Sequence, residues 1–347
     1  MSILRILYPP TVNYNILFQR PNQVLKVLSR EGHTCYFMNH IPGIKGQYVL
    51  EGIEELEKNF YIVSNMVHPA TLNPDVYYFS YPPYYDWINR IKPEYVIFDA
   101  LDSPTGEFSS WKPEWEKSVK RADLVLAVST ELYKEVKKLN DNVLLVKNGV
   151  DYDHYQQATR NPYRKLKLPG FQRKNPVVGF SGAIASWVNL ELLYRSCLEY
   201  PDFNFVILGL EYNVKLKRSI GRPDNLFFLG HVPYDDLPMW VNHFDVCTIP
   251  FRDNQVTRAC NPLKFWEYMA TGNPVVTSNL PETYYEGVYW AKTDEEYISY
   301  IGDAMVERRN HGDKLREVRK KVAYNCSWEK NLEPVIEQLQ RWDKDGE

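Results

Sequence analysis

Short apolar runs alternate with helical patterns along the whole chain, and this alternation constrains the fold more than any other feature. Each run has the length of one buried strand, and strands that alternate with helices are typical of parallel sheets covered by helices. The strands predicted in this way are Ile3–Leu7, Thr34–Met38, Phe60–Ser64, Tyr95–Phe98, Leu124–Val128, Val143–Val146, Val177–Ser181, Asn204–Leu208, Leu226–Leu229, Val246–Pro250 and Pro274–Thr277. The predicted fold class is α/β, with doubly wound parallel sheets.

A break in both periodicities divides the chain near its middle. Between Asn148 and Pro176, dipeptides such as Asn161-Pro162 and Pro169-Gly170 interrupt the strand and helix patterns. A chain of 347 residues is long enough for two domains that each bury a core. We predict one Rossmann-like domain over residues 1–165 and a second over residues 166–327. A last helix, at about 328–347, is expected to pack back on the first domain.

Composition excludes several partners. The formal net charge is -3 and no basic run is interleaved with aromatics, so nucleic acid is not expected as a partner. The cysteines show no zinc-like spacing and suit a reducing compartment. No signal peptide or long apolar stretch is visible, which predicts a cytoplasmic protein. Basic residues that could give peripheral contact with the inner face of the membrane are Lys112, Lys117, Lys120 and Arg121.

The segment from Asn261 to Ser278 predicts a helix that binds an anion. Asn261 is expected as the N-cap, Pro262 as the first helical residue and Gly272 as the left-handed stop. The free N–H groups and the positive dipole end of such a helix favour a phosphate, and Lys264 adds a full charge.

Glu267 is predicted to share the rim of this helix with Lys264, because the two residues are three positions apart. In open α/β sheets the loop-to-helix corners face the ligand crevice, which favours a binding role for the pair. A solvated surface ion pair is the alternative interpretation.

A second pair of carboxylates follows a buried strand of the first domain. Asp99 and Asp102 stand at its carboxyl end, where one of them could act as a general base or orient an acceptor hydroxyl. Alternatively, they cap loops or bind cations. The polar segment after the first strand is expected to line the same edge of the sheet, and its candidate acceptor-binding residues are Tyr14, Gln19 and Arg20.

Other motifs limit the chemistry. Gly182 ends a strand and could let a diphosphate approach the backbone, but its surroundings are not GxGxxG, so a nicotinamide enzyme is not expected. Walker and Gly-x-Ser-x-Gly motifs are missing from the sequence. The histidines have no metal-ligand spacing, and Asp151-Tyr152-Asp153 is interpreted as surface. No metal and no cofactor is predicted.

The order of several motifs resembles that of GT-B sugar transferases, and glycosyltransferase family 4 in particular. These motifs are Asn148-Gly149-Val150-Asp151, Gly230-His231-Val232, Asp245-Val246, Asn261-Pro262-Leu263-Lys264 with Glu267, and Gly272-Asn273-Pro274. Two further segments are similar to the subgroup found in bacterial capsule and teichuronic-acid pathways, namely Phe18-Gln19-Arg20-Pro21 and Gly182-Ala183-Ile184-Ala185-Ser186-Trp187.

The resemblance implies two Rossmann-like domains facing each other across a cleft, a nucleotide-sugar held mainly by the second, and an acceptor on the first. It implies that Glu267 binds the ribose and Val232 the base. The diphosphate would meet Gly182, Arg258, Lys264 and the N–H groups near Leu263. The family commonly has a second Glu where this chain has Ala259, and Asn261 is a candidate substitute.

The predicted function is transfer of a sugar from a nucleotide diphosphate donor to a glycan or lipid-linked acceptor in bacterial surface polysaccharide synthesis. The resemblance implies retention at the anomeric carbon and no bound metal, with Asp99, Asp102 and Lys264 as the candidate catalytic residues. Two alternatives are a non-catalytic nucleotide-sugar-binding partner of a glycan-assembly complex and a sugar-nucleotide epimerase on the same fold.

Overall fold

The computed structural model describes residues 3–40, 52–157, 160–172, 174–216, 223–310 and 313–345. The chain divides into two compact units, which are Met1–Asn148 with Trp328–Glu347, and Gly149–Ser327. Each unit contains one parallel-dominated sheet with helices between its strands, which confirms the predicted α/β class.

The first unit is built on an eight-stranded sheet in the order β3-β4-β2-β1-β5-β6-β7-β8, parallel except for the β3–β4 pair. Its elements are β1 (Arg5–Tyr8), α1 (Arg20–Arg30), β2 (Thr34–Asn39), β3 (Ile53–Glu57), β4 (Phe60–Ser64), β5 (Val76–Phe79), α2 (Trp87–Ile91), β6 (Tyr95–Ala100), α3 (Lys112–Arg121), β7 (Leu124–Ala127), α4 (Thr130–Val136) and β8 (Val143–Leu145). The last helix of the chain, Trp328–Asp345, also belongs to this unit.

The second unit is built on a six-stranded parallel sheet in the order β11-β10-β9-β12-β13-β14. Its elements are α5 (Tyr152–Gln156), β9 (Val177–Ser181), α6 (Leu190–Glu199), β10 (Asn204–Leu208), β11 (Leu226–Gly230), α7 (Leu237–Val241), β12 (Val246–Ile249), α8 (Gln255–Arg258), α9 (Leu263–Thr271), β13 (Val275–Thr277), β14 (Val288–Trp290), α10 (Asp294–Arg309) and α11 (Asp313–Asn325). The last helix of the chain is therefore α12.

The strand order of each sheet reverses at one position, which sets where a ligand can bind. The reversal lies between β1 and β5 in the first unit and between β9 and β12 in the second. The chain leaves such neighbouring strands in opposite directions, so a crevice opens outside their carboxyl ends.

The boundary between the units lies earlier than the sequence predicts. Residues 149–165, which the sequence assigned to the first domain, belong to the second unit. The reason is aromatic packing, because Tyr155 and Tyr163 are buried in the core of the second unit. Val150 also forms a β-bridge with Ser327 at the end of that unit.

Helix α12 packs within the first unit through two tryptophans. Trp328 is fully buried and lies under the Arg20 guanidinium, 5.8 Å from the ring centroid. Trp342 stacks on Tyr95 with a centroid distance of 4.3 Å and an interplanar angle of 4°. Along the described ranges of the chain, none of the helices is both long enough and apolar enough to cross a bilayer.

Candidate functional site

Helix α9 begins without a side-chain cap. Its N-cap is Pro262, whose side chain accepts no hydrogen bond from the first turn. The prediction that Asn261 caps this helix is wrong, because Oδ1 of Asn261 accepts a hydrogen bond from Nε1 of Trp266 at 2.7 Å. The amide Nδ2 of Asn261 donates to Glu282 at 3.3 Å. Asn261 therefore braces the helix, and the positive dipole end is left for another acceptor.

Lys264 lies at the point where the strand order of the second sheet reverses. Its ammonium is 5.3 Å from the ring centroid of Phe180 in β9 and 4.9 Å from that of Phe251, which follows β12. Both distances are within the range of a cation–π contact. Two aromatic rings from the two strands therefore hold a cation at the crevice of the sheet.

Gly182 lies directly against Lys264. A Cβ atom at Gly182 would be 2.5 Å from Cε and 2.8 Å from Nζ of Lys264, and the φ angle of this glycine is +141°. Gly209 supports the turn from the other side, since a Cβ there would be 2.0 Å from the carbonyl oxygen of Gly182. Because Gly182 has no side chain, the end of the Lys264 side chain can lie against it and the backbone beside the lysine is left uncovered.

Glu267 shares a crowded environment with Lys264 and Tyr155. Burial raises the pKa of Glu267 to about 7, although Lys264 and then the Tyr155 hydroxyl act to lower it. Burial also lowers the pKa of Lys264, which Glu267 and then Cys260 partly offset. Both residues are half-buried, so the pair predicted from the sequence is not a fully solvated surface pair.

The hydroxyl of Tyr155 is a buried polar group with no hydrogen bond of standard geometry to any residue in the described ranges. The residue is 1% exposed. Leaving such a group unsatisfied costs about 1–3 kcal/mol. Tyr155 is not predictable from the sequence as a site residue, because nothing in its local pattern shows that it reaches α9.

Arg258 is engaged within its own loop. Its guanidinium forms a two-pronged ion pair with Asp253, with Nε–Oδ1 and Nη2–Oδ2 distances of 2.5 and 3.1 Å. The Arg258 side chain is 59% exposed. Two other predicted donor-binding residues are half-buried, Leu263 at the first position of α9 and Val232 just after β11.

Asp99 and Arg20 form a buried ion pair in the first unit. Nε and Nη2 of Arg20 donate to the two carboxylate oxygens of Asp99 at 2.7 and 3.0 Å, and the Tyr78 hydroxyl donates to Oδ2 at 2.6 Å. Nη1 of Arg20 donates to Asn148 at 3.1 Å. Asp99 is 0% and Arg20 1% exposed. The predictions that Asp99 acts as a base and that Arg20 contacts an acceptor are therefore not supported, because both groups are enclosed and saturated.

Asp102 differs from Asp99 although it follows the same strand. The residue is exposed, yet surrounding protein atoms and then the Glu107 carboxylate raise the pKa of Asp102 to about 6. Tyr14 is half-buried and packs edge-on against Phe18 at 5.4 Å, and Gln19 is an exposed N-cap of α1.

The Asp151-Tyr152-Asp153 motif starts a helix. The Asp151 carboxylate accepts a hydrogen bond from the backbone N–H of His154 at 3.2 Å and so caps α5. Within the described ranges, no group of three or more His, Cys, Asp or Glu side chains is arranged to hold a metal ion.

Most of the second unit matches a known family. Residues 175–304 match the model of a family described as glycosyl transferases group 1. This part of the second unit is therefore similar to that family. The matched segment contains Gly182 and Lys264, with the switch point between β9 and β12.

A curated relative matches a longer part of the chain than the family model does. Over 256 residues, 67% of the chain, the protein is 28% identical to the putative teichuronic acid biosynthesis glycosyltransferase TuaH of Bacillus subtilis (strain 168). The chain therefore covers less than two thirds of the length of that relative, 64%.

Solved structures confirm the predicted GT-B fold over the whole chain. Sucrose-phosphate synthase from Thermosynechococcus elongatus has a TM-score of 0.75 and 13% identity, with both chains fully covered. Anabaena HepE in complex with UDP and glucose has a TM-score of 0.73 and 15% identity, covering 97% of this chain and 100% of that one. A HepE complex with UDP-glucose has a TM-score of 0.71 and 14% identity, with the same coverage.

Proposed function

We propose that the protein is a glycosyltransferase that moves a sugar from a nucleoside diphosphate donor bound by the second unit. The observation that carries this proposal is the arrangement around Lys264. Its ammonium lies beside Gly182 and at the uncapped start of α9, where the strand order of the sheet reverses. A cation, free N–H groups and exposed backbone converge at one place, which suits a diphosphate.

The same groups would assist the reaction. Negative charge grows on the diphosphate as the bond to the sugar breaks, and a fixed cation in a desolvated site stabilises this charge without reorganisation. Lys264 is held by two aromatic rings before any ligand arrives, so its stabilising effect is greatest in the transition state. Glu267 would accept hydrogen bonds from the ribose hydroxyls once it is ionised.

We further propose a glycan or lipid-linked acceptor in bacterial surface polysaccharide synthesis, with retention at the anomeric carbon and no metal. The pathway rests on the name of the Bacillus relative. On the first unit, Asp102 is the better candidate for contact with an acceptor hydroxyl, because Asp99 is enclosed by Arg20 and Tyr78.

The test is release of nucleoside diphosphate by the purified protein. UDP-glucose, ADP-glucose and GDP-mannose are incubated with polyprenyl-diphosphate-linked sugars and with free oligosaccharides, and each is also incubated alone. We expect acceptor-dependent release with one donor, and a loss of about 10²–10³ in turnover for Lys264→Ala. The control is Lys215→Ala, an exposed lysine of the same unit, 60% exposed, which should keep full activity.

One alternative function is favoured by a specific observation. Ala259 is buried at a position where the resembled family commonly has a Glu. The loss of that carboxylate favours a non-catalytic partner that binds a nucleotide-sugar. Donor binding without release, with every acceptor, would favour this alternative. Isomerisation of the donor without any acceptor would favour an epimerase. No binding of any of the three sugar nucleotides would contradict the proposed function.

A further inference from the structure

The short helix α5 holds Tyr155 against α9. The side chain of Gln156 donates to the backbone carbonyl of Ala270 in α9 at 2.9 Å, and that of Asn242 donates to the carbonyl of Tyr155 at 2.9 Å. The neighbouring His154 ring stacks on Tyr234 at a centroid distance of 4.5 Å. The backbone of Tyr155 is therefore fixed on both sides, and its ring has little freedom.

The position of the Tyr155 hydroxyl calls for a functional explanation. The hydroxyl is buried and lacks a standard hydrogen bond to the described residues, while native structures satisfy nearly all such groups. A hydrogen-bonding interaction with this hydroxyl lowers the pKa of the Glu267 carboxyl, so the hydroxyl lies within reach of Glu267 although its geometry falls short of a standard hydrogen bond. A rigidly held donor beside a carboxylate can bond to it after a small movement of the glutamate side chain.

We propose that Tyr155 is a positioning residue whose hydroxyl donates to the Glu267 carboxylate when Glu267 binds the ribose of a nucleoside diphosphate sugar. This inference rests on the proposed function of Glu267. Tyr155 does not touch the donor. It orients the carboxylate and favours its ionised form, which is the form that accepts hydrogen bonds from sugar hydroxyls.

The titratable and charged side chains near Glu267 lie on α9, α5 and α11. Lys264 lies on the same helix and Tyr155 on α5, and both act on the Glu267 carboxylate. The His154 ring of α5 faces Tyr234 instead. The cations that α11 brings to α9 lie at its far end beside Gly272, and they are Arg316, Arg319 and Lys320.

The consequence is a dependence of donor affinity on pH, which the burial of Glu267 causes and the Tyr155 hydroxyl shifts. The pKa of Glu267 is about 7, so its ionised fraction changes across neutral pH. Removing the Tyr155 hydroxyl raises this pKa further. Donor affinity should then fall where the carboxylate becomes protonated, and it should recover at a pH at which the carboxylate is ionised in both proteins.

The experiment is calorimetric titration of wild-type protein and Tyr155→Phe at about pH 6, 7 and 8.5. The probe is whichever of UDP-glucose, ADP-glucose and GDP-mannose binds tightest to the wild type. Sugar nucleotides are used because both of their phosphates are esterified, so their charge does not change across this pH range. A terminal phosphate would titrate with a pKa of about 6. We expect Tyr155→Phe to bind about three- to tenfold more weakly at pH 6 and within about twofold of the wild type at pH 8.5.

The matched control is Tyr163→Phe. Tyr163 is buried in the same core, but its hydroxyl donates to the carbonyl of Trp240 at 3.3 Å. This variant should lose no affinity that depends on pH. A loss in Tyr155→Phe that is equal at every pH, or no loss at all, would overturn the proposed role of Tyr155.

Glu267→Gln separates this inference from the function on which it rests. An amide does not titrate, so this variant should bind more weakly and with no pH dependence from residue 267. Wild-type affinity in Glu267→Gln would contradict the ribose role itself. Weak binding in Glu267→Gln together with an unshifted pH profile in Tyr155→Phe would contradict only the role of Tyr155.

Discussion

Gly182→Ala should weaken donor binding by displacing Lys264. The new Cβ would be 2.5 Å from Cε of the lysine, whereas ordinary contacts begin at 3.4 Å, so the end of the side chain must move by about 1 Å. At an effective dielectric constant of about 20, moving an ammonium from about 4 to about 5 Å from a phosphate costs about 0.8 kcal/mol per unit charge. A diphosphate carries about two such charges, which corresponds to about tenfold weaker binding.

The backbone adds a separate cost that the assay must isolate. A φ angle of +141° is unfavourable for alanine, which costs about 1–3 kcal/mol of stability and lowers the melting temperature by several degrees. Gly32→Ala is the matched control, because Gly32 has a φ angle of +100° with open space around its Cβ position. It should lose stability and keep its affinity for the donor.

A double-mutant cycle measured by calorimetry decides the mechanism. If Gly182→Ala acts by moving Lys264, it should have little further effect in a Lys264→Ala background, so the losses of the two single variants should not add. Additive losses, or wild-type affinity in the single variant Gly182→Ala, would refute the contact between Gly182 and Lys264 as the basis of the site.

Further predictions concern three charged residues. Glu267→Gln should raise the melting temperature at about pH 8. The folded pKa of the Glu267 carboxyl is about 7, above its ordinary value of 4.5, so ionising this group disfavours the folded state as the pH rises. The melting temperatures of the two proteins should converge at about pH 4, and a lower melting temperature of the variant at pH 8 would contradict this reasoning. Asp99→Ala should lower the free energy of unfolding by about 3–5 kcal/mol, measured in urea, because it leaves the buried Arg20 guanidinium uncompensated; a loss below about 1 kcal/mol would argue against a buried pair. Arg258→Ala should weaken donor binding by less than about threefold in calorimetry, because Asp253 already holds the guanidinium; a loss as large as that of Lys264→Ala would show that Arg258 leaves its partner to meet the ligand.

The sequence predicts most of the second sheet and the helix that carries the site. Every predicted strand is present, with ends shifted by two residues at most. Lys264, Glu267 and Gly182 are near one another, because the strand ends and helix starts of a doubly wound sheet converge on one edge. The register of α9 follows from local sequence, including Gly272 at its left-handed end.

Long-range partners explain what the sequence does not reveal. Arg20 and Asp99 are separated by 79 positions, and no local pattern shows that they bond. Asn261 is a residue type that commonly caps helices, but its side-chain oxygen accepts a hydrogen bond from the indole N–H of Trp266. Tyr155 was assigned to the wrong domain, since its burial depends on a surface formed by residues much later in the chain.

Strand β5 shows that composition alone does not predict burial. Its sequence, Val76-Tyr77-Tyr78-Phe79, is rich in tyrosine, which suits a wet cleft as well as a core. The structure buries this strand completely, next to β1 in the centre of the first sheet. The hydroxyl of Tyr77 donates to the carbonyl of Tyr84 at 3.0 Å and that of Tyr78 to Asp99 at 2.6 Å, and these acceptors allow polar rings inside the sheet.

The return of α12 to the first unit affects the order in which the chain can fold during synthesis. Residues Gly149–Ser327 form one continuous unit, so they can complete their core as soon as they leave the ribosome. The first unit must wait for Trp328 to cover Arg20 and for Trp342 to stack on Tyr95. The segment translated first is therefore completed last, and a stop codon before residue 328 would leave its buried cation facing water.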